Sequence, residues 1–188
     1  MKGSSSAAAP APPARRERPL ILTVGHSTRA FDDLVALLRH HGVELVADVR
    51  RYPGSRRHPQ FQRAALERSL AEHGIAYRHL PELGGRRRPR PDSPNQGWRN
   101  ASFRGYADHM QTVEFRTGLA VLLELAAHHR VAIMCAEAVP WRCHRSLIAD
   151  ALLVRGAGAA HIVDAGQPAP HQLTRFACVE DDRLTYPG

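Results

Sequence analysis

Short apolar runs alternate along the chain with segments whose apolar residues recur at helical spacing, and this alternation constrains the fold more than any other feature. Apolar runs predict buried strands at residues 20–24, 43–49, 75–80, 131–134 and 160–163. Because strand–helix–strand units require right-handed crossovers, they make the strands parallel and cover both faces of the sheet with helices. We therefore predict a three-layer, Rossmann-like α/β sandwich with a mainly parallel sheet of about five strands.

The segments between the strands carry the helix signals. The first helix follows the first strand, with Thr28 as its expected N-cap, because a threonine hydroxyl can accept from an early helical N–H. Helical spacing over residues 106–129, broken near 111–114, predicts two consecutive helices. The C-terminal pattern is weak and predicts only a short helix near Leu173 and an edge strand near Leu184.

Composition limits the cellular setting and the partners. Residues 1–19 are mostly Ser, Ala, Pro and Arg, which predicts a disordered basic tail ahead of a single α/β domain over residues 20–188. Three cysteines in a chain of 188 residues do not indicate a disulfide framework, so we expect a reducing, cytoplasmic location. No apolar run approaches the roughly 20 residues that span a membrane. A net charge of +8, mostly from arginine, is typical of proteins with phosphate-bearing partners. The equally open alternative is a protein that is arginine-rich only because of its coding background.

Polar residues follow four of the predicted strands at the point where each strand ends. The carboxyl ends of parallel strands share one edge of a sheet, and ligands bind there in α/β folds. We therefore expect one site at this edge, built from His26 and Ser27, Asp48 and Arg50, Glu82 with Gly84 and Gly85, and Cys135 with Glu137.

Cys135 stands where the fourth strand passes into a loop that leads to a helix. A helix N-terminus and nearby cations, here Arg145 and a protonated His144, lower the pKa of such a thiol. Cys135 is therefore a candidate nucleophile with His144 or His26 as partner base. The alternative is a buried cysteine that only fills space at the end of a strand.

The same loop offers a second interpretation as a metal site. Cys135, Cys143 and His144 supply the soft and borderline ligands that zinc and iron prefer. Neighbouring residues such as Cys143 and His144 rarely both reach one ion, so this hypothesis stands beside the nucleophile rather than replacing it.

Two carboxylates form a third possibility. Glu137 and Asp48 are placed for acid–base work or for holding a divalent ion near phosphate. Their alternative role is salt bridging to Arg50 and Arg145. The position of Arg145 in the first turn of a helix opposes the helix dipole, which indicates a bound anion.

A long polar segment follows the third strand. Six arginines fall between Arg86 and Arg104 against a single acid, with Trp98, Phe103 and Tyr106 among them. Basic side chains with interleaved aromatics are typical of loops that contact nucleic acid. The other interpretation is an insert whose aromatic residues anchor it to the body of the domain.

Five motifs together resemble the domain of unknown function 488 family: TVGHSTRAF at 23–31, LVADVRRYPGS at 45–55, LPELGGRR at 80–87, FRGYADHM at 103–110 and MCAEAVPWRCHRSLIA at 134–149. The resemblance covers roughly residues 20–161 and implies a compact α/β domain, but no reaction. The positions that match the family pattern are His26, Ser27, Asp48, Arg50, Pro53, Ser55, Gly84, Gly85, Tyr106, Cys135, Glu137, Pro140, Cys143, His144 and Arg145.

These observations combine into one functional expectation with two alternatives. We expect an enzyme whose catalytic residues come from Cys135, Glu137, His144, Arg145, His26 and Asp48, acting on a nucleotide, a nucleic acid or another phosphate-bearing substrate. The substrate would be bound by Ser27, Arg50, Ser55, Gly84, Gly85, Arg86 and Tyr106. The alternatives are a non-catalytic nucleic-acid-binding module and a zinc or iron enzyme that uses Cys135, Cys143 and His144.

Overall fold

A six-stranded sheet forms the centre of the computed structural model, which describes residues 18–54 and 57–188. Its strands are β1 (Leu20–Gly25), β2 (Leu45–Asp48), β3 (Ala76–His79), β4 (Val131–Cys135), β5 (Gly158–His161) and the short β6 (Ala169–Pro170). Their order is β3-β2-β4-β1-β5-β6, and only β6 pairs antiparallel. The predicted mainly parallel sheet is confirmed, with β6 as an added edge. Most of the predicted disordered tail lies outside the described residues.

Helices cover both faces of this sheet, as the three-layer prediction requires. They are α1 (Phe31–His40), α2 (Arg63–Glu72), α3 (Ala101–His109), α4 (Val113–His128) and α5 (Arg145–Val154). Side chains alternate along β4: Ala132 and Met134 pack with α1 and α2, whereas Ile133 and Cys135 pack with α3, α4 and α5. The Cys135 side chain therefore faces the layer that also contains Cys143.

The break between α3 and α4 is confirmed, although α3 begins earlier than the pattern indicated. The side chain of Asn100 accepts from the backbone N–H of Ser102, and the hydroxyl of Thr112 accepts from that of Phe115. These two N-caps start α3 and α4 separately, because each satisfies a helical N–H that has no carbonyl partner within the helix.

The expected N-cap at Thr28 is wrong, because long-range contacts displace the start of α1. The backbone N–H groups of His26 and Ser27 donate to the carbonyls of Cys135 and Ala136, at 3.0 and 2.9 Å. The chain continues beside the β4 loop beyond β1, and α1 begins only at Phe31. Its N-cap position is Ala30, which makes no side-chain capping hydrogen bond.

The C-terminal segment also differs from the prediction. In place of a helix near Leu173 there is a turn, in which the N–H and hydroxyl of Thr174 both donate to Asp150. The strand at Leu184 exists as β8 (Arg183–Thr185), but it pairs with β7 (Cys178–Glu180) in a separate hairpin. Leu184 still packs into the α3–α5 side of the core.

The long polar segment after β3 is attached to the domain by hydrogen bonds and by aromatic packing. Asp108 accepts hydrogen bonds from Ser93 at 2.6 Å and from Asn95 at 2.8 Å. The Trp98 ring packs against Phe103 and Tyr186, with ring centroids 4.9 and 5.4 Å apart. These aromatic contacts match the anchored-insert interpretation. Across the ranges 18–54 and 57–188, no helix has the length and apolar character needed to cross a membrane.

Candidate functional site

Three adjacent central strands, β2, β4 and β1, carry the site at their carboxyl ends. After Cys135 the chain leaves β4, crosses the end of β1 and returns through a 3-10 turn at Pro140–Arg142 before α5 begins. Gly25 permits this crossing, because a Cβ there would lie only 1.9 Å from the carbonyl oxygen of Glu137. The returning loop brings Cys143 back to Cys135.

Two thiols and one imidazole meet at this point and form what we call the thiol–imidazole cluster: Cys135, Cys143 and His144. The Nδ1 atom of His144 lies 3.9 Å from Sγ of Cys135 and 3.6 Å from Sγ of Cys143. All three potential ligand atoms lie within 4.8 Å of one another. The sequence placed these residues in one loop, and the structure brings their side-chain atoms together.

The backbone sets the orientation of the His144 ring. Its Nε2 lies 3.0 Å from the carbonyl oxygen of Val49, which can only accept, so Nε2–H donates to Val49 and Nδ1 faces the two sulfurs. The Tyr106 ring lies beside the imidazole, with centroids 5.0 Å apart, and its hydroxyl donates to Leu83. A Cβ on Gly85 would approach His144 Nδ1 to 2.8 Å, so glycine leaves that side of the ring open.

Arg145 is fully buried beneath the cluster. Its guanidinium donates to the carbonyl of Glu137 at 2.5 Å, to the hydroxyl of Thr23 at 3.4 Å and, through Nε, to Sγ of Cys143 at 3.4 Å. Among the described residues it forms no salt bridge with a carboxylate. A buried cation needs a compensating negative charge, and the Cys143 sulfur is the group in contact with it that can supply one.

These surroundings shift the pKa values of the two thiols in opposite directions. A hydrogen bond from Cys135, together with His144 and Arg145, holds the pKa of Cys143 well below the ordinary value for a thiol. The pKa of Cys135 is raised, because its S–H donates to Cys143 and because the thiol is buried. Cys135 was the predicted site of a lowered thiol pKa, whereas in the structure the lowered pKa belongs to Cys143.

His26, Asp48 and Arg50 form a second cluster beside the first. The Arg50 guanidinium donates hydrogen bonds to both carboxylate oxygens of Asp48. Its Nη1 also donates to Nε2 of His26 at 3.2 Å. The Nδ1–H of His26 donates to Ser27, so both ring nitrogens are engaged. Burial and the charge of Arg50 lower the pKa of His26 to about 4. Asp48 therefore fills the salt-bridge role considered for it, and His26 contacts Arg50 rather than Cys135.

A hydrogen-bonded chain leads from Arg145 to the buried carboxylate of Asp150. Arg145 donates to Thr23, Thr23 to His161 at 2.8 Å, His161 to His171 at 3.0 Å, and His171 to Asp150 at 2.9 Å. A carboxylate can only accept, so His171 Nε2–H donates to Asp150, and with both histidines neutral the donors run in the order given. Sequence analysis missed this chain, although a lone acid within the apolar helix α5 was a signal.

The thiol–imidazole cluster lines a partly open cavity of about 350 Å³, which shares several lining residues with a neighbouring cleft of about 600 Å³. We call the two together the arginine cleft. Its charged lining consists of Arg50, Arg51, Arg57, Arg86, Arg142 and Glu137. Because Arg50 is paired with Asp48, four arginines face a single carboxylate. Arg51, Arg57 and Arg142 were not among the predicted site residues.

The remaining predicted residues take several positions around the cleft. Ser27 and Arg86 line it, and Glu137 places an exposed side chain in it. Gly84 instead packs against the backbone of Arg51, since a Cβ on Gly84 would lie 2.8 Å from the Cα of Arg51. Ser55 lies outside the described residues.

The comparisons with known proteins give one match. A family model described as "Domain of unknown function DUF488" matches residues 30–152, more than half of the chain. No curated protein and no solved structure matches the chain. The match includes the β4–α5 loop, and with it every member of the thiol–imidazole cluster.

Proposed function

The chain belongs to the DUF488 family, and we propose that it is an enzyme that acts on a phosphate-bearing substrate, such as a nucleotide or nucleic acid, at the thiol–imidazole cluster. One observation carries the proposal. A buried guanidinium, Arg145, contacts a thiol of lowered pKa, Cys143, at the floor of a cavity lined by further arginines. Reactive thiolates in enzymes occupy electropositive surroundings of this kind.

The charges of the arginine cleft support an anionic substrate. Arg57, Arg86 and Arg142 are exposed, and among the described residues none of them forms a salt bridge. Holding like charges around one cleft is unfavourable unless an anion enters it. Guanidinium groups bind phosphate oxygens two at a time, and each charge-assisted hydrogen bond contributes about 1.5–3 kcal/mol before solvent screening.

The composition of the cavity lining favours an enzyme over a module that only binds nucleic acid. A surface that binds the nucleic-acid backbone needs exposed cations. It does not need two buried thiols and an oriented imidazole. Here Cys135, Cys143 and His144 line the 350 Å³ cavity, which is large enough for one phosphate-bearing group beside them. If the protein only bound nucleic acid, substitution of Cys135, Cys143 or His144 would leave that binding unchanged.

A turnover screen tests this proposal. Purified protein would be incubated with nucleoside mono-, di- and triphosphates, phosphate diesters and short oligonucleotides, and products would be separated by chromatography. We expect conversion of at least one class, its loss in Cys143→Ser, and no change in Cys178→Ser, since Cys178 lies in the separate hairpin.

Two results would contradict the enzyme proposal. One is the absence of turnover across the panel combined with oligonucleotide binding that is equal in the wild type and Cys143→Ser. The other is turnover that persists unchanged in Cys143→Ser. The first result would favour the binding module.

A further inference from the structure

We propose that the thiol–imidazole cluster holds a tetrahedral divalent metal ion of the zinc class, bound by Cys135, Cys143 and His144, with the fourth position open to the cavity. This inference deepens the proposed function by assigning a cofactor to the same site. It makes Cys143 a metal ligand rather than a free nucleophile.

The distances between the ligand atoms fit such an ion. With Zn–S of about 2.3 Å and Zn–N of about 2.0 Å, tetrahedral angles separate sulfur from nitrogen by about 3.6 Å. The two separations here, from His144 Nδ1 to the sulfurs of Cys143 and Cys135, are 3.6 and 3.9 Å. The two sulfur–nitrogen separations are thus close to those that one ion would impose.

The outer contacts of the cluster are those of a metal site. Histidine ligands almost always donate their second ring N–H to a carbonyl or carboxylate, which fixes the lone pair that binds the metal. His144 does this through Val49 at 3.0 Å. The N–H of Arg145 toward Cys143 Sγ stabilises a thiolate ligand in the same manner. The missing Cβ of Gly85 keeps the metal-binding side of the imidazole free.

Burial argues for a ligand role of both thiols. Cys143 is 3 % exposed and Cys135 is 8 % exposed, which leaves little sulfur surface for direct attack on a substrate. A bound metal ion would hold both thiols as thiolates and compensate their charge.

The ligand set indicates which metal and which role. Two sulfurs and one imidazole nitrogen select zinc over magnesium or calcium, which require oxygen ligands. Structural zinc sites have four protein ligands, whereas catalytic sites have three and keep one position for water or substrate. Here three ligands line the cavity beside the arginines, so a phosphate oxygen held by the arginine cleft can reach the open position.

Metal analysis and cobalt substitution test the inference on the full chain. We expect close to one zinc per chain in protein purified without chelator. After removal of zinc, added Co²⁺ should produce visible bands of tetrahedral cobalt and an ultraviolet thiolate-to-cobalt band. Cys143→Ser and Cys135→Ser should weaken Co²⁺ binding by more than about 100-fold, the upper range for loss of an outer contact. Cys178→Ser should bind Co²⁺ as the wild type does.

Circular dichroism checks that each variant is folded. If a serine variant unfolds, His144→Gln serves as a third ligand variant. Zinc-free protein whose Co²⁺ spectrum lacks the thiolate band would overturn the inference. Equal Co²⁺ affinity in the wild type and a folded ligand variant would do the same, as would a Cys135–Cys143 disulfide in protein kept under reducing conditions. Turnover by metal-free protein would overturn the metal site alone, whereas one zinc per chain without turnover would overturn only the proposed enzyme.

Discussion

Acid should destabilise this protein through His26, a buried histidine that the fold keeps neutral. Only 3 % of the residue is exposed, its Nδ1–H donates to Ser27 and its Nε2 accepts from Arg50. Burial and the charge of Arg50 lower its pKa from 6.5 to about 4 in the folded state. Between these values the unfolded chain binds the proton and the folded chain does not, so stability falls as the pH falls.

The size of the effect follows from the shift. At about 1.36 kcal/mol per pKa unit, the shift of the His26 pKa makes the free energy of unfolding about 3 kcal/mol larger at neutral pH than in strong acid. About 2 kcal/mol of it is lost between pH 7.5 and pH 5, and most of the remainder by pH 4. Urea unfolding followed by circular dichroism at these three pH values gives the free energy of unfolding directly.

The variant His26→Gln removes the titrating group, so its comparison with the wild type gives the part of the pH dependence that is due to His26. We expect its free energy of unfolding to fall by about 2 kcal/mol less than that of the wild type between pH 7.5 and pH 5. His128→Gln, at an exposed position of α4, should keep the wild-type dependence. Equal pH dependence in the wild type and His26→Gln would refute the assignment of a neutral, buried His26.

Three further predictions concern the backbone crossing, the buried chain and the thiolate. Gly25→Ala should lower the free energy of unfolding by about 2 kcal/mol or more in urea melts, because its Cβ would meet the Glu137 carbonyl. Gly54→Ala should change it by less than about 0.5 kcal/mol, because its Cβ would meet no other part of the described chain within 4 Å beyond its sequence neighbours. Asp150→Asn should destabilise by at least about 2 kcal/mol in the same assay, since the amide cannot accept all the donors facing the carboxylate; a change near zero would contradict the buried chain. In chelator-treated protein, iodoacetamide should modify Cys143 at lower pH than Cys135, as followed by mass spectrometry, and the reverse order would contradict the assignment of the thiolate.

The architecture and the proximity of several candidate residues were predictable because local patterns determine them. Alternating strands and helices force a parallel sheet, and a parallel sheet places strand ends together. Cys135, His144 and Arg145 therefore meet near one another as the sequence indicated. The salt bridge between Asp48 and Arg50 also follows from two residues at the end of one strand.

The errors and omissions arise where distant segments determine local structure. Thr28 does not cap α1, because the carbonyls of the β4 loop, over 100 residues away in sequence, hold the chain after β1. The thiol with the lowered pKa is Cys143 rather than Cys135, because the loop crosses Gly25 and folds back, so that Cys143 accepts from Arg145 and Cys135. No periodicity in the C-terminal segment indicates that His171 reaches Asp150.

Calorimetric titration with pyrophosphate tests most directly whether the arginine cleft binds phosphate. Arg142 lines both parts of the cleft, and Arg68 on α2 offers the same charge change at an exposed position away from it. We predict pyrophosphate binding by the wild type, about tenfold weaker binding by Arg142→Gln, and unchanged binding by Arg68→Gln. Absence of binding, or equal weakening by the two variants, would contradict the account.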